Sequence, residues 1–505
     1  MRQNKTKFFK RADIPMKYSR VLLINPFYPE SHYVNRNLPT GLGYISQALD
    51  KAGIENTAFD MNLGYSLSDL VKRIREFRPE LIGFGMMSFK HRHNYQFITN
   101  IRARFPNIEI IVGGPHVSTL RDKVLNDCLA IDYGVTLEGE ETIVELCQGV
   151  KSLGEIKGLL YRESYGNVLY SRDRPFMTDL DAKGFPTYER FELKQYPRAR
   201  SVVSSRGCPF SCIYCPVKST IGTKFRCRSV NSVVDEFEYW YRRGIRNFAV
   251  SDDNFTFYRE RVFEICDEIE RRKLTSLKIS CGNGIRADKV DKMILKRMKE
   301  TGFYHLAFGV ESGNNEILRR LKKGEGIETI ERAIADACDL GFMVTLFFLI
   351  GSPGETKSNV EDSIRLATKY PVYDVRFYNL IPFPGTELYK WVKENDCFLH
   401  KDYLNGASHW VNDPIFETPE LNHEERRRYY AFANRTADLH TFPTKRSFHM
   451  PDTIEQFRGM GLPAGLSVLL SRLYWSKPFH RYFRKSGLID RFKALFAKSR
   501  RVYVF

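Results

Sequence analysis

The stretch SSRGCPFSCIYCPVKS, residues 204–219, places three cysteines within eight positions, at Cys208, Cys212 and Cys215. The seven other cysteines of the chain stand singly. Four clustered thiolates would complete a tetrahedral zinc site or a fully ligated cluster, whereas three leave one coordination position open. Three soft thiolate ligands on one loop fit three irons of a four-iron cubane cluster. The alternative is a zinc ion whose fourth ligand is a distant histidine.

Length and composition favour a multidomain protein of the cytoplasm. A chain of 505 residues, 43% hydrophobic, is too long for one core and predicts about three globular units. Its longest apolar runs, such as VTLFFLI at 344–350, are shorter than the roughly 18 residues that span a bilayer. The N-terminus lacks the hydrophobic core of a signal peptide. In the cytoplasm thiols stay reduced, which favours a metal or catalytic use of the clustered cysteines.

The formal charge of +18 is concentrated at the C-terminus. From residue 471 onward, ten Lys and Arg residues accompany a single acid, Asp490, and alternate with aromatic and aliphatic side chains. This pattern is typical of an amphipathic segment that binds an anionic membrane surface. The alternative is a solvated tail packed partly on the body. Because no nucleic-acid motif accompanies the charge, we expect no nucleic-acid partner.

The first 150 residues alternate short apolar strands with amphipathic helical stretches. The predicted strands are RVLLIN (20–25), ENTAFD (55–60), LIGFGM (81–86), IEIIVGG (108–114) and IDYGVTL (131–137). Five such alternations predict an α/β fold with a doubly wound, Rossmann-like parallel sheet. Ligands of such sheets bind beyond the carboxyl ends of the strands, so the loops NPFYP, GMMSFKH, GGPHVS and LEGEET form the candidate rim. A small hairpin, KGLLYRESYGNVLYSR, follows.

A second pattern repeats strand and helix six times from residue 196 to 395. The predicted strands begin at residues 201, 247, 277, 305, 344 and 375. Six units are too few for an ordinary eight-unit barrel, so we expect an open (β/α)6 barrel. The three cysteines and the motifs DDNFT, NGIRAD, VESGN, GSPGET and PFPGT all follow strand ends. In parallel barrels the chemistry lies in those loops.

Together these motifs resemble the radical S-adenosylmethionine (SAM) superfamily, in the subgroup with an N-terminal cobalamin-binding domain. The resemblance rests on CxxxCxxC with Tyr214 before its last cysteine, on the barrel loops, and on NPFYP, VGGPHVS and LEGEET. It covers about residues 18–395. The Asp-x-His-x-x-Gly motif that supplies a lower axial histidine to cobalt in some cobalamin proteins is absent.

The resemblance implies a domain order. Residues 1–160 would form the cobalamin-binding domain, 161–195 a connector and 196–395 the radical SAM barrel. Residues 396–505 would form a mainly helical extension, basic and amphipathic at its end.

The resemblance also implies the site residues and three cofactors. The cysteines Cys208, Cys212 and Cys215 would ligate a 4Fe-4S cluster. The residues expected to contact SAM are Asp252, Asp253, Asn254, Arg286, Glu311, Gly351, Pro353 and Gly354. Those expected to line the cobalamin rim are Ser88, Gly113, Gly114, His116, Gly139 and Glu140.

Each of these roles has a structural alternative. The aspartates could cap the following helix, and Arg286 could pair with Glu311. The glycines could serve an ordinary turn. For His116, the resemblance favours a structural hydrogen bond, and cobalt ligation is the alternative.

The resemblance implies a radical enzyme, and we expect a methyltransferase that acts on an unactivated carbon. The alternatives are a non-methylating rearrangement or oxidative cyclisation on the same machinery and, outside the enzyme class, a cobalamin-binding sensor. A reductant such as flavodoxin or ferredoxin is the expected partner. The basic tail predicts a peripheral position at the inner face of the membrane and a lipid-like substrate, against a soluble natural-product intermediate.

Overall fold

The computed structural model describes residues 16–26, 37–89, 91–163, 166–400, 404, 413–459 and 463–476. Most of the predicted NPFYP loop and the basic segment from residue 477 onward lie outside these ranges. The chain divides into two compact units. The first comprises Met1–Ile245 and Ile381–Ser408, and the second comprises Arg246–Leu380 and His409–Phe505.

The first unit begins with a seven-stranded sheet. Its strands are β1 (Arg20–Asn25), β2 (Glu55–Asp60), β3 (Leu81–Gly85), β4 (Glu109–Gly113), β5 (Tyr133–Val135), β6 (Leu159–Arg162) and β7 (Val168–Tyr170). The order is β2-β1-β3-β4-β5-β6-β7, parallel from β2 to β5. The helices are α1 (Thr40–Lys51), α2 (Leu67–Phe77), α3 (His91–Arg104), α4 (Pro115–Leu120), α5 (Asp122–Asp127) and α6 (Glu140–Gln148). The predicted doubly wound sheet is confirmed, and the predicted hairpin β6–β7 extends it antiparallel to β5.

Both faces of this sheet are covered, which explains its continuously apolar strands. Side chains of a strand alternate between the two faces. Leu22 and Ile24 of β1 belong to one core cluster, while Val21 and Leu23 belong to the other. A strand buried on both faces needs apolar residues at each buried position, as β1 has at residues 21–24.

The first unit continues through the cysteine segment. Its elements are β8 (Ala199–Val202), β9 (Ser205–Arg206), α7 (Val217–Thr220), β10 (Arg226–Cys227) and α8 (Val230–Arg242). The strands β9 and β10 pair antiparallel on either side of the cysteines. The sequence did not predict this short ladder.

The second unit contains five parallel strands that neighbour one another in chain order. These are β11 (Asn247–Val250), β12 (Lys278–Ile285), β13 (Phe303–Glu311), β14 (Met343–Ile350) and β15 (Asp374–Asn379). The helices between them are α9 (Arg259–Arg271), α10 (Lys292–Glu300), α11 (Asn315–Arg320), α12 (Ile327–Asp339) and α13 (Lys357–Ala367). Together with β8, these five strands are the six strands that the second α/β pattern predicts.

The two faces of this sheet differ in polarity. One face is a fully buried apolar layer that includes Leu346, Phe348 and Phe377, with the last two rings stacked at 4.8 Å between centroids. On the other face lies His305, whose Nδ1 and Nε2 are 2.7 Å from Ser280 Oγ and 3.0 Å from Thr345 Oγ1. Burial lowers the pKa of His305 to about 4, so the imidazole is neutral and ties three strands together.

In the described part of the C-terminal region, α14 (Glu387–Glu394) belongs to the first unit, and α15 (His423–Gly459) and α16 (Ala464–Tyr474) belong to the second. The Asn434 amide of α15 donates to Phe377 O (3.1 Å) and accepts from Phe377 N (3.2 Å), as a neighbouring strand would. The α/β class with a helical C-terminal region is therefore confirmed. Within the described ranges, no helix is both long and apolar enough to cross a bilayer.

The apolar layer predicts a face-dependent stability. Replacing Phe348 with Ala should lower the free energy of unfolding by about 3–5 kcal/mol, because a fully buried ring leaves a cavity in a packed core. Phe347→Ala, on the half-buried opposite face, is the matched control and should cost less. Urea unfolding midpoints measure both, and equal shifts would contradict the assignment of the faces.

Candidate functional site

The three cysteines lie on a tightly closed loop in the first unit. All three side chains are half-buried. The loop is held by hydrogen bonds from Cys208 N to Gly222 O and from Cys215 N to Cys212 O, both 3.1 Å. Gly207 has a φ of +89°, and a Cβ there would overlap Lys224 O, so this position requires glycine.

Helix α14 supports the middle of this loop from the far end of the chain. Leu388 N, at the start of the helix, donates to Ile213 O at 2.9 Å, and both side chains are buried. Ile213 lies between the second and third cysteines. The segment Ile381–Ser408 therefore helps to shape the loop, a role that local sequence does not reveal.

A buried ion cluster joins the cysteine hairpin to the end of β5. Arg206 donates to Glu138 Oε1 (3.0 Å) and Glu140 Oε1 (2.8 Å), and Arg226 donates to Glu138 Oε1 (2.8 Å). The guanidinium group of Arg206 lies over the ring of Tyr44, and that of Arg226 lies over the ring of Phe176. Although burial alone would lower the pKa of Arg206, the charges of Glu140 and Glu138 raise it, so the arginine stays protonated.

This cluster revises the expectation for Glu140. The sequence predicts that Glu140 lines the cobalamin rim, yet its buried carboxylate is engaged by Arg206. Sequence reasoning missed Glu138, Arg206 and Arg226. The available signal was the acidic pair in LEGEET together with an arginine two residues before Cys208.

The other predicted rim residues lie at the carboxyl ends of neighbouring strands. Ser88 follows β3, Gly113 ends β4 and Gly139 follows β5. At Gly114, with a φ of +104°, a Cβ would approach Met86 O at 2.8 Å, so the chain must have glycine here. The structure thus brings these four residues to one edge of the sheet.

His116 is enclosed within the domain. Its side chain is fully buried, its Nε2 is 2.9 Å from the Tyr95 hydroxyl, and its ring stacks on His91 at 5.1 Å. Burial, and secondarily the charge of His91, lowers the pKa of His116 to about 3. This is the structural hydrogen bond expected for His116, and cobalt ligation through Nε2 would require breaking it.

In the second unit, Asp252, Asp253 and Asn254 follow β11 in a polar, largely buried turn. The helix-cap alternative does not apply, because α9 begins later and Tyr258 occupies its N-cap. Burial, and then the charge of Asp252, raises the pKa of Asp253 to about 6. Within the described ranges neither amide atom of Asn254 has a hydrogen-bond partner. Two adjacent carboxylates and an unsatisfied amide fit a cationic, hydrogen-bonding ligand such as the amine of SAM.

Arg286 and Glu311 belong to a buried charge network after β12 and β13. Arg286 Nε pairs with Asp288 at 2.8 Å. Lys323 Nζ lies 3.2 Å from Glu311 Oε1 and 3.3 Å from Glu325 Oε2. Glu311 has a φ of +66°, an uncommon conformation for a side chain with a Cβ. The sequence did not predict Lys323, which follows Glu311 by twelve residues.

The loop after β14 is occupied by an arginine from the C-terminal region. Arg426 of α15 is fully buried and donates to Asn379 Oδ1 (3.1 Å), Phe416 O (2.9 Å) and Leu380 O (3.0 Å). A Cβ at Gly351, where φ is +101°, would overlap its guanidinium group. The sequence predicts that a neighbouring group lies close to the backbone of Gly351, and in this structure that group is the guanidinium of Arg426.

Glu355 closes the same loop from within. Its Oε2 accepts from Gly351 N at 2.6 Å and Ser352 N at 3.2 Å. Burial raises the pKa of Glu355 to about 7, while these hydrogen bonds and the charge of Arg426 act in the opposite direction. Pro353 and Gly354 complete the turn, and Gly354 has a φ of +78°. The GSPGE sequence thus folds around its own glutamate.

The cysteine loop fits an iron–sulfur cluster. Within the described ranges, no group of three or more His, Cys, Asp or Glu side chains converges as the ligands of a single metal ion would. A cubane does not require such convergence, because each of its cysteines binds a different iron. Three reduced thiols within eight residues of a rigid loop match that donor set.

Comparison with known protein families agrees with both sites. The radical SAM superfamily model matches residues 202–367, and the B12 binding domain model matches residues 32–147. The chain therefore contains a radical SAM domain and, N-terminal to it, a B12 binding domain. The predicted enzyme class and its cofactors, a 4Fe-4S cluster, SAM and cobalamin, are confirmed.

Individual proteins resemble the chain over most of its length. An uncharacterized methyltransferase of Pyrococcus horikoshii is 28% identical and covers 83% of this chain and 93% of its own. Cytidylyl-2-hydroxyethylphosphonate methyltransferase of Streptomyces wedmorensis is 26% identical, with coverages of 74% and 81%. The structure of the cobalamin-dependent radical enzyme OxsB with aqua-cobalamin and SAM bound has a TM-score of 0.70 at 17% identity, covering 93% of this chain and 76% of that one.

The cysteine loop yields a direct test of cluster ligation. Replacing Cys208, Cys212 or Cys215 with Ala should abolish SAM cleavage and lower bound iron and sulfide after anaerobic reconstitution, because two thiolates do not retain the cubane. Cys227→Ala and Cys397→Ala are the matched controls and should keep both. Full iron content together with turnover in Cys212→Ala would refute the assignment.

Arg426 yields a test of the C-terminal contact with the β14 loop. Arg426→Met should lower the free energy of unfolding by about 3–5 kcal/mol, because the buried acceptors and Glu355 lose their cation. The exposed neighbour Arg427→Met should stay within about 0.5 kcal/mol of wild type. Urea unfolding measures the difference, and equal stability of the two variants would contradict the prediction.

Proposed function

We propose that the protein is a cobalamin-dependent radical SAM methyltransferase that methylates an unactivated carbon. The main support is the locking of the cysteine hairpin to the rim of the B12 binding domain by Arg206, Arg226, Glu138 and Glu140. A sensor that used only its cobalamin domain would not need that hairpin. Two similar proteins are methyltransferases by name, which favours methyl transfer over the cyclisation alternative.

The protein's residues would bind and orient the cofactors. Cys208, Cys212 and Cys215 would hold the cluster. When bound, the cofactors supply a 5'-deoxyadenosyl radical for hydrogen abstraction and a methyl group for transfer. The turn Asp252–Asn254 would hold the SAM amine, because its carboxylates and its unsatisfied amide suit a cation. Gly351, Pro353 and Gly354 would hold the adenine, with Arg426 and Glu355 fixing the shape of their loop.

The remaining predicted residues would support these sites. Arg286 and Glu311 would contact the methionyl carboxylate and ribose of SAM, kept in place by Lys323. On the B12 binding domain, Ser88, Gly113, Gly114 and Gly139 would face the corrin. A flavodoxin or ferredoxin would deliver the electron to the cluster.

We further propose a lipid-like substrate at the inner face of the membrane. The support is the sequence of the C-terminal region, in which ten basic residues alternate with aromatic and aliphatic ones from residue 471 onward. Each Lys or Arg near an anionic surface contributes about 1 kcal/mol of binding. A protein held at such a surface reaches substrates that stay in the bilayer.

The proposal predicts where a labelled methyl group goes. With SAM carrying a deuterated methyl group, reconstituted enzyme, reductant and membranes of the source organism, label should enter an organic-soluble product, with S-adenosylhomocysteine and 5'-deoxyadenosine formed alongside it. Mass spectrometry of organic and aqueous extracts measures the label, and Cys212→Ala serves as the control. Label confined to aqueous products would favour a soluble substrate, and 5'-deoxyadenosine without label in either extract would favour a non-methylating reaction.

A further inference from the structure

Helix α16 packs with its polar side inward and its apolar side outward. Ser467 and Ser471 are fully buried. Leu466, Leu469 and Leu473 are 41%, 56% and 49% exposed. These leucines are spaced at i, i+3 and i+7, so they lie along one face of the helix. We call this face the leucine face.

This arrangement is the reverse of the usual amphipathic helix, in which the apolar face meets the core. The reversal follows from how α16 packs within the second unit. The small serines allow it to lie close to α15, and the contact is fixed at its end by Trp475, whose Nε1 donates to Thr453 Oγ1 at 3.0 Å and whose ring stacks on His449. The leucines are left outside this contact.

In the sequence, the leucine face is flanked by basic residues and by no nearby acidic residue. The sequence has no acidic residue between Glu455 and Asp490, and Arg472, next to Leu473, is exposed. Four further Lys and Arg residues follow between residues 477 and 485. An apolar face next to a strongly basic segment is complementary to a surface that is apolar inside and anionic outside, which is an anionic lipid bilayer.

We infer that the leucine face of α16 is a docking surface for an anionic membrane, with Leu466, Leu469 and Leu473 inserted into the headgroup boundary. This inference rests on the proposed function for its purpose, since it names the surface that holds the enzyme at its lipid-like substrate. Its physical basis is independent of that function. The helix would lie parallel to the bilayer plane, because all three leucines face one direction.

The test uses the full chain and co-sedimentation with vesicles of phosphatidylcholine and phosphatidylglycerol, or of phosphatidylcholine alone. Wild type should bind the anionic vesicles and lose binding at high salt. A variant with Leu466→Ser, Leu469→Ser and Leu473→Ser should bind at least about tenfold more weakly, because the inserted apolar area is lost. Leu129→Ser, at a leucine of the first unit that is even more exposed (79%), is the control and should bind as wild type does.

A second variant measures insertion directly. The added tryptophan in Leu469→Trp should be quenched by brominated phosphatidylglycerol beyond the quenching of wild type, whereas Leu129→Trp should not. Absence of vesicle binding by wild type, or equal binding by the triple variant, would overturn the inference. A dimer in light scattering that the triple variant abolishes would assign the face to a second copy and also overturn it. If the enzyme transferred no methyl group, vesicle binding would be unaffected. The labelling experiment therefore tests the proposed function, and vesicle binding tests this inference.

Discussion

The buried cluster of Arg206, Arg226, Glu138 and Glu140 is the constraint that joins the cysteine hairpin to the B12 binding domain within the first unit. Both arginines flank the cysteine loop, and both glutamates follow β5 of the B12 binding domain. Removing one partner of a buried pair leaves an uncompensated charge, at a cost of about 3–5 kcal/mol. The hairpin therefore keeps a fixed orientation to the rim, which an enzyme that uses both cofactors on one substrate requires.

The C-terminal region performs a comparable task in the second unit. Arg426 is the countercharge to Glu355 inside the β14 loop, and its guanidinium group occupies the space that Gly351 leaves open. A helix that follows the barrel in sequence is thus part of the loop's interior. For this reason the extension contributes to the fold of the barrel loop.

Local sequence patterns predicted most of the strands and the cysteine site. The residues they missed are mostly ones whose partners lie far away in the sequence. The cysteine spacing, the parallel strands and the glycine at position 114 follow from chemistry within a few residues. By contrast, Arg426 follows Gly351 by 75 positions, and Glu140 meets an arginine 66 positions later. Neither pairing is indicated by a periodic pattern in the sequence. The rim role expected for Glu140 was displaced because a buried carboxylate requires a partner.

The amide of Asn434 has a consequence for synthesis of the chain. It pairs with the backbone N–H and C=O of Phe377 at the outer edge of β15, the last strand of its sheet, from 57 residues further along. Ribosomes add roughly 5–20 residues per second, so this edge stays unpaired for about 3–11 seconds on every nascent chain. An open strand edge is a template for intermolecular pairing. Slow translation between the strand and the helix would therefore promote aggregation of this protein.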